Sequence, residues 1–298
     1  MPDVSVLTPS FGYGRFIRDA LSSVRGQVGV DVEHIVQDAG STDETIDVLR
    51  KFGDEVEWRS EPDRGQSDAL NRAFERSEGR WIAWLNADEF YLPQGLEALV
   101  QAGERSATDV VYADAAFIDE GGTLIRLLAS HRFSPSVLRQ YGPFIGSCTV
   151  LLRRSALGEC PWDVDVRRIM DWELYLRLLS EGARFIHVPY PVGAYRIHGG
   201  QVTAQPGEEF SEDHRTVRAR YGIRLTGRGP QYAVGRGLHG VHKLLSGARR
   251  RERHAQELRG GDLRWFNPRV GRAAVDELLR RCYGVPGANA RGKSGTAR

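Results

Sequence analysis

Apolar positions in the first hundred residues fall by turns into short unbroken runs and into helical spacing. The run Trp81-Ile82-Ala83-Trp84-Leu85 is short and apolar throughout, which predicts a strand buried on both faces. It breaks abruptly into Asn86-Ala87-Asp88-Glu89. Residues 4–8, 32–36 and 56–58 give three earlier strands. Between them Phe16, Ile17, Ala20, Leu21 and Val24, then Ile46, Val48, Leu49 and Phe52, recur at helical spacing, and residues 67–76 predict a further helix. Ser41-Thr42-Asp43-Glu44 has the Ser-x-x-Glu spacing of a capping box. Four alternations of strand and helix predict a parallel sheet wound with helices.

Beyond residue 93 the pattern is less regular, as expected where a sheet turns from parallel to mixed. A helix over 93–100, a strand over 110–114 and a strand over 146–153 are expected. A hairpin turning at Gly121-Gly122 should join 115–118 to 123–127. A helix begins at Asp171, with Glu173, Arg177 and Ser180 on one polar face. Alternation through Tyr195-Arg196-Ile197-His198 puts Arg196 and His198 on one face.

The strand ends carry the candidate chemistry. Thr8, Asp38 and Asp88 present oxygen side chains to one edge of the sheet, and ligands of open α/β sheets sit outside that edge. The oxygens after the fourth strand suit a hard divalent cation. Asp38 also precedes a helix N-terminus, whose free amides suit anions. Asp171 lies about 200° from Glu173 around its helix, on the buried side, where an unpaired carboxylate is costly. A helix cap and a functional acid both meet that pattern. Gly12-x-Gly14 has Ile17 where a dinucleotide fingerprint has its third glycine, so that reading is rejected.

Taken together, Val6-Leu7-Thr8-Pro9-Ser10, Asp38-Ala39-Gly40-Ser41-Thr42-Asp43, Asp63-Arg64-Gly65-Gln66-Ser67-Asp68-Ala69-Leu70-Asn71 and Trp84-Leu85-Asn86-Ala87-Asp88 resemble the family 2 glycosyltransferases of GT-A fold, over about residues 3–200. The resemblance implies an α/β fold with a mostly parallel, Rossmann-related central sheet. It implies inverting transfer of a sugar from a nucleotide diphosphate donor, a UDP-sugar, to an acceptor hydroxyl. Thr8, Pro9, Ser10 and Asp38 would then hold the nucleoside, and Ser10, Arg64, Asp68 and Asn71 would line the donor pocket. The family's Asp-x-Asp site becomes Asn86-Ala87-Asp88, leaving Asp88 as the main contact to Mg²⁺ or Mn²⁺ and Asn86 as a sugar or ribose contact. Arg196 would reach the diphosphate and His198 the metal. Asp171 would be the general base, with Met170 where the family usually has Glu. Two alternatives stand beside this. A nucleotidyltransferase would show a glycine- and lysine-rich loop after the first strand, and residues 10–15 contain no lysine. A non-catalytic nucleotide-sugar-binding subunit is left open by Asn86 and Met170.

Charge divides the 298 residues unevenly. From Thr226 onward there are 16 basic against 5 acidic side chains, while the rest carries 25 against 34. This suggests a catalytic domain over 1–225 and a basic helical extension over 226–298, with helices near 232–245 and 272–282 and a disordered end. Such helices either pack on the domain or lie on an anionic membrane. No basic–aromatic interleaving points to nucleic acid. The acceptor is left as a glycan, a lipid-linked species or a small molecule. Cys148, Cys160 and Cys282 lack metal-ligand spacing, and no signal peptide or membrane-length apolar run is evident, so a cytoplasmic protein is expected.

Overall fold

The computed structural model describes residues 1–201, 208–223 and 230–285. The expected boundary near 225 and the end expected to be disordered, from 287, lie outside them. In chain order the elements are β1 (Val4–Ser10), α1 (Gly14–Arg25), β2 (Val32–Asp38), α2 (Thr45–Phe52), β3 (Glu57–Ser60), α3 (Gln66–Glu75), β4 (Trp81–Trp84), β5 (Phe90–Tyr91) and α4 (Gly95–Ser106). There follow β6 (Val110–Ile118), β7 (Leu124–Leu128), α5 (Pro135–Gln140), β8 (Val150–Arg153), α6 (Met170–Ser180), β9 (Phe185–Arg196), α7 (Glu208–Arg220), α8 (Pro230–Leu245), α9 (Ala248–Gln256) and α10 (Ala273–Tyr283).

One sheet runs β3-β2-β1-β4-β8-β6-β9-β5, with β7 on β6. The first four strands are parallel, and antiparallel β8 separates β4 from β6. All of β4 is buried, because its residues alternate between two cores. Trp81 and Ala83 pack with α1 and α4, and Ile82 and Trp84 pack with α3 and α6. Ser10, Asp38 and Ser60 are register partners, so three strands finish level and their loops share one edge.

Two glycines set the first of these loops. Gly12 has φ +70°, which favours glycine, and a Cβ on Gly14 would meet the Thr45 nitrogen at 2.7 Å. They bring α1 against the start of α2. The expected capping box does not form: α2 starts at Thr45, and the Ser41 hydroxyl accepts from the Gly12 amide and donates to Asp38. Asp43 caps α2 instead, accepting from the Thr45 amide at 3.0 Å.

The basic segment shares the core of the sheet. Ala248, Ala255, Leu263, Val275 and Leu278 cluster with Phe90, Ala116, Ile118 and Leu124. Arg251, within the run Arg249-Arg250-Arg251, is drawn inward and pairs with fully buried Asp114 at 2.9 Å. Tyr283 donates to the same carboxylate, and Trp265 donates to the Tyr91 carbonyl. Among the described residues no helix is long and apolar enough to cross a membrane.

Candidate active site

The loop after β4 is held from below. The Asn86 side-chain oxygen accepts from Trp84 Nε1 at 2.8 Å and from Gln66 Nε2 at 2.6 Å. Its amide nitrogen donates to Ser147 Oγ at 3.3 Å, and Ser147 in turn donates to Glu89 at 3.0 Å. An aspartate at 86 could accept the first two bonds but not donate the third. The network thus accounts for asparagine here, and it directs both polar atoms of Asn86 to protein partners. Glu89 is buried and also accepts from the Asn86 amide at 3.0 Å. Burial first, then the nearby Asp88 charge, pushes its carboxyl up to about 8.

Asp88 meets His198 at the lip of this loop, Oδ2 to Nε2 at 3.0 Å. Tyr13 and Phe16 from the start of α1 stand against the imidazole, with ring centroids at 6.0 and 4.8 Å. The Gly200 amide donates to His198 Nδ1, so the ring proton lies on Nε2, facing Asp88. Arg196 does not share this role. β9 ends at Arg196, the chain turns, and strand alternation no longer applies to His198. The Arg196 guanidinium is fully buried, where it pairs with Asp19 at 2.7 Å and donates to the carbonyls of Asp88 and Glu120. It holds the Asp88 backbone and does not line the cleft.

Asp171 lies in the first turn of α6, on the wall of the same cleft, whose volume is about 1110 Å³. One carboxylate oxygen accepts from the Trp172 amide at 2.7 Å. Burial raises this carboxyl to about 6. The polar face expected opposite it is covered, since α7 supplies Arg220 and the next residue Tyr221 to buried Glu173, at 3.0 and 2.7 Å. Met170, beside Asp171, accepts from Ser67 Oγ at 2.9 Å and packs in the core. Tyr195 lines the same cleft, its hydroxyl pushed up by burial and by Glu89, Asp88 and Asp171.

Of the expected site residues, the structure brings Pro9, Ser10, Asn86, Ala87, Asp88, Asp171 and His198 to this one cleft. Ser10 Oγ is buried there without a hydrogen-bond partner among the described residues. The other expected residues are engaged elsewhere. Thr8 is fully buried against His34 at 2.9 Å. The Asp38 carboxylate is also fully buried and shapes its loop, accepting from the Gly40 and Ser41 amides and from the Ser41 and Ser60 hydroxyls. Arg64 pairs with Asp68, which also pairs with Arg72. Asn71 clamps Trp162 by two bonds, at 2.7 and 3.0 Å. None of these five side chains lines the cleft, because each has a nearer protein partner. Gln66, Ser147 and Tyr195 were missing from the expected set. Gln66 lies inside a quoted motif and was legible, but Ser147 reaches the site only through long-range pairing.

This sheet order, with an acidic loop facing a second carboxylate across one cleft, defines a glycosyltransferase of the GT-A fold. The chain belongs to glycosyl transferase family 2, whose profile matches residues 5–160. It is 29% identical over 240 residues to a PGL/p-HBAD biosynthesis glycosyltransferase of Mycobacterium tuberculosis, covering 75% of this chain and 88% of the relative. An uncharacterized glycosyltransferase of Rickettsia prowazekii is 23% identical over 211 residues, covering 68% and 66%. Among solved structures, residues 1–349 of S. aureus TarS in complex with UDP-GlcNAc superpose with a TM-score of 0.60, at 14% identity and 94% and 81% coverage. The mannosyltransferase PcManGT of Pyrobaculum calidifontis, in complex with GDP-Man and Mn²⁺, gives a TM-score of 0.55 at 15% identity and 95% and 88% coverage.

Proposed function

We propose that the protein moves a sugar from a UDP-sugar to an acceptor hydroxyl with inversion, using a divalent cation. The observation that carries this is Asp88 and His198 meeting on one side of a cleft that has Asp171 on its wall. The donor set fits Mg²⁺ or Mn²⁺, which are bound by one or two protein ligands completed by phosphate oxygens and water. A cation there would offset the charge of the diphosphate leaving group. Asp88 Oδ2 and His198 Nε2 would hold it, with the imidazole in its other tautomer, the proton on Nδ1 and the Gly200 amide released from that nitrogen. Pro9 and Ser10 would receive the nucleoside, Ser10 Oγ gaining the partner it lacks. Asp38, Thr8 and Arg196 would act by fixing the loops, and Asp171 would take the acceptor proton. The supporting comparison is a neighbour of the same fold that carries UDP-GlcNAc.

Calorimetric titration of UDP with and without Mn²⁺ tests the donor reading. Mn²⁺ should tighten UDP binding by about tenfold or more, as expected where a metal bridges protein and phosphate. Asp88→Asn should abolish that gain while leaving Tm nearly unchanged. UDP binding equally well in EDTA would remove the cation from the mechanism.

A further inference from the structure

On its β6 side the cleft changes character. Alternation along β6 turns Ala116 and Ile118 to the core beneath α9 and α10, and Ala113, Ala115 and Phe117 line the cleft. Two alanines in succession leave a slot where larger side chains would fill the space. Leu128 is the register partner of Ala115, and Tyr195 that of Phe117, with the two rings 5.4 Å apart. Phe144 adds a further aromatic wall. Arg126 lies 4.1 Å over the Phe117 ring.

Polar groups are few here, and one is unused. Ser130 is 5% exposed, and its hydroxyl has no hydrogen-bond partner among the described residues. Its backbone is pinned, the amide by Asp114 at 2.8 Å and the carbonyl by Arg251 at 3.2 Å. Only the hydroxyl is left to meet a ligand, and a buried unpaired hydroxyl is costly until it does. Tyr195 joins the slot to the reacting end, because it pairs with Phe117 and lines the same cleft as Asp88 and Asp171. A bound oligosaccharide would need a partner for most of its hydroxyls. Alanine, phenylalanine and leucine cannot supply them.

Resting on the transfer reading above, we propose that this slot is the acceptor subsite. It takes an acceptor with an apolar alkyl or aryl body, and Ser130 Oγ is its hydrogen-bond anchor. The acceptor hydroxyl would then lie toward Tyr195 and Asp171, and the apolar body along β6.

The test uses n-octyl β-D-glucopyranoside, kept below its micelle concentration, and methyl β-D-glucopyranoside as probes. Each is titrated calorimetrically into the full-length protein with and without UDP and Mn²⁺. The octyl glycoside should bind at least about tenfold more tightly, since each buried methylene favours binding. Ala115→Leu fills the slot and should shrink the preference to within about threefold, with Tm and UDP affinity kept. Phe117→Ser, at a half-exposed position, should reduce it independently if Ala115→Leu fails to fold. Equal binding of the two glycosides, binding of neither, or a preference untouched by both variants overturns the slot. Failure of UDP to bind the wild-type protein overturns the donor reading alone, because the glycoside comparison is also made without UDP.

Discussion

The loop at 86–89 and the first turn of α6 both bring a carboxylate to one cleft, yet they are built in opposite ways. In the loop, Asn86 is tied by Trp84, Gln66 and Ser147, Glu89 by Ser147 and the Asn86 amide, and Asp88 by His198. At α6, among the described residues, Asp171 is met only by backbone amides at its own helix start, with no side chain bonded to it. A cation needs oxygens whose positions are already fixed. A base needs a proton affinity near the working pH, which burial without a counter-charge provides. The first region is organised by hydrogen bonds and the second by their scarcity.

Asp171→Asn is the strongest way to break this contrast. It keeps the shape and the oxygen that accepts from the Trp172 amide but cannot accept a proton, so kcat should fall by roughly 10²–10⁴ with UDP affinity kept. Stability should move the other way. The Asp171 carboxyl is raised in the fold from 3.8 to about 6, so ionising it costs stability as pH climbs through that window. At pH 7 the variant should be more stable by on the order of 1–3 kcal/mol, and the gain should vanish near pH 3.5. The wild-type rate should in turn decline below about pH 6. A pure helix cap predicts near-normal turnover for Asp171→Asn, and that result would end the assignment.

A third carboxylate sharpens the comparison from outside the cleft. Asp114 is fully buried, more so than Asp88 or Asp171, but it is met by Arg251, by His187 at 2.7 Å and by Tyr283. Removing the cation with Arg251→Ala should destabilise the protein by about 3–5 kcal/mol, because an uncompensated charge is left inside. UDP affinity, measured where the variant is still folded, should be unchanged. Little loss of Tm would mean that α9 is held by its apolar contacts alone.

The parts of this plan that were legible in sequence are those that depend on near neighbours. β4 announces itself as an apolar run because both its faces are covered, and Asp88 follows from the break after Trp84-Leu85. The joint order of the motifs was enough to place Asp88, Asp171 and His198 in one cleft. What stayed hidden depends on partners far along the chain. Asn71 has the look of a helix-surface residue, yet it clamps Trp162, and Glu173 lies on a polar face that α7 covers. Arg251 belongs to a run that reads as a solvated basic face, and only the buried Asp114, 137 residues away, explains its inward turn. Local periodicity carries no record of such pairings.

The smallest expected effect is the most telling about the loop. Glu89 sits beside Asp88 but does not line the cleft, and burial holds its carboxyl near 8. At neutral pH it is therefore mainly protonated, and glutamine is a close substitute in shape and charge. Glu89→Gln should change kcat by no more than about threefold, since its amide can still accept from Asn86 and donate to Ser147. Thermal stability distinguishes the two proteins by pH. A carboxyl raised in the fold weakens the wild type as pH rises from the unfolded value of about 4.5 toward 8, because only the unfolded chain ionises freely. The variant escapes that loss, so the two should melt alike at pH 4, below the unfolded value, and Glu89→Gln should melt higher at pH 9. If instead Glu89→Gln weakened Mn²⁺-supported UDP binding tenfold, Glu89 would have to be ionised when the cation arrives. The loop would then present two charges where the geometry shows one.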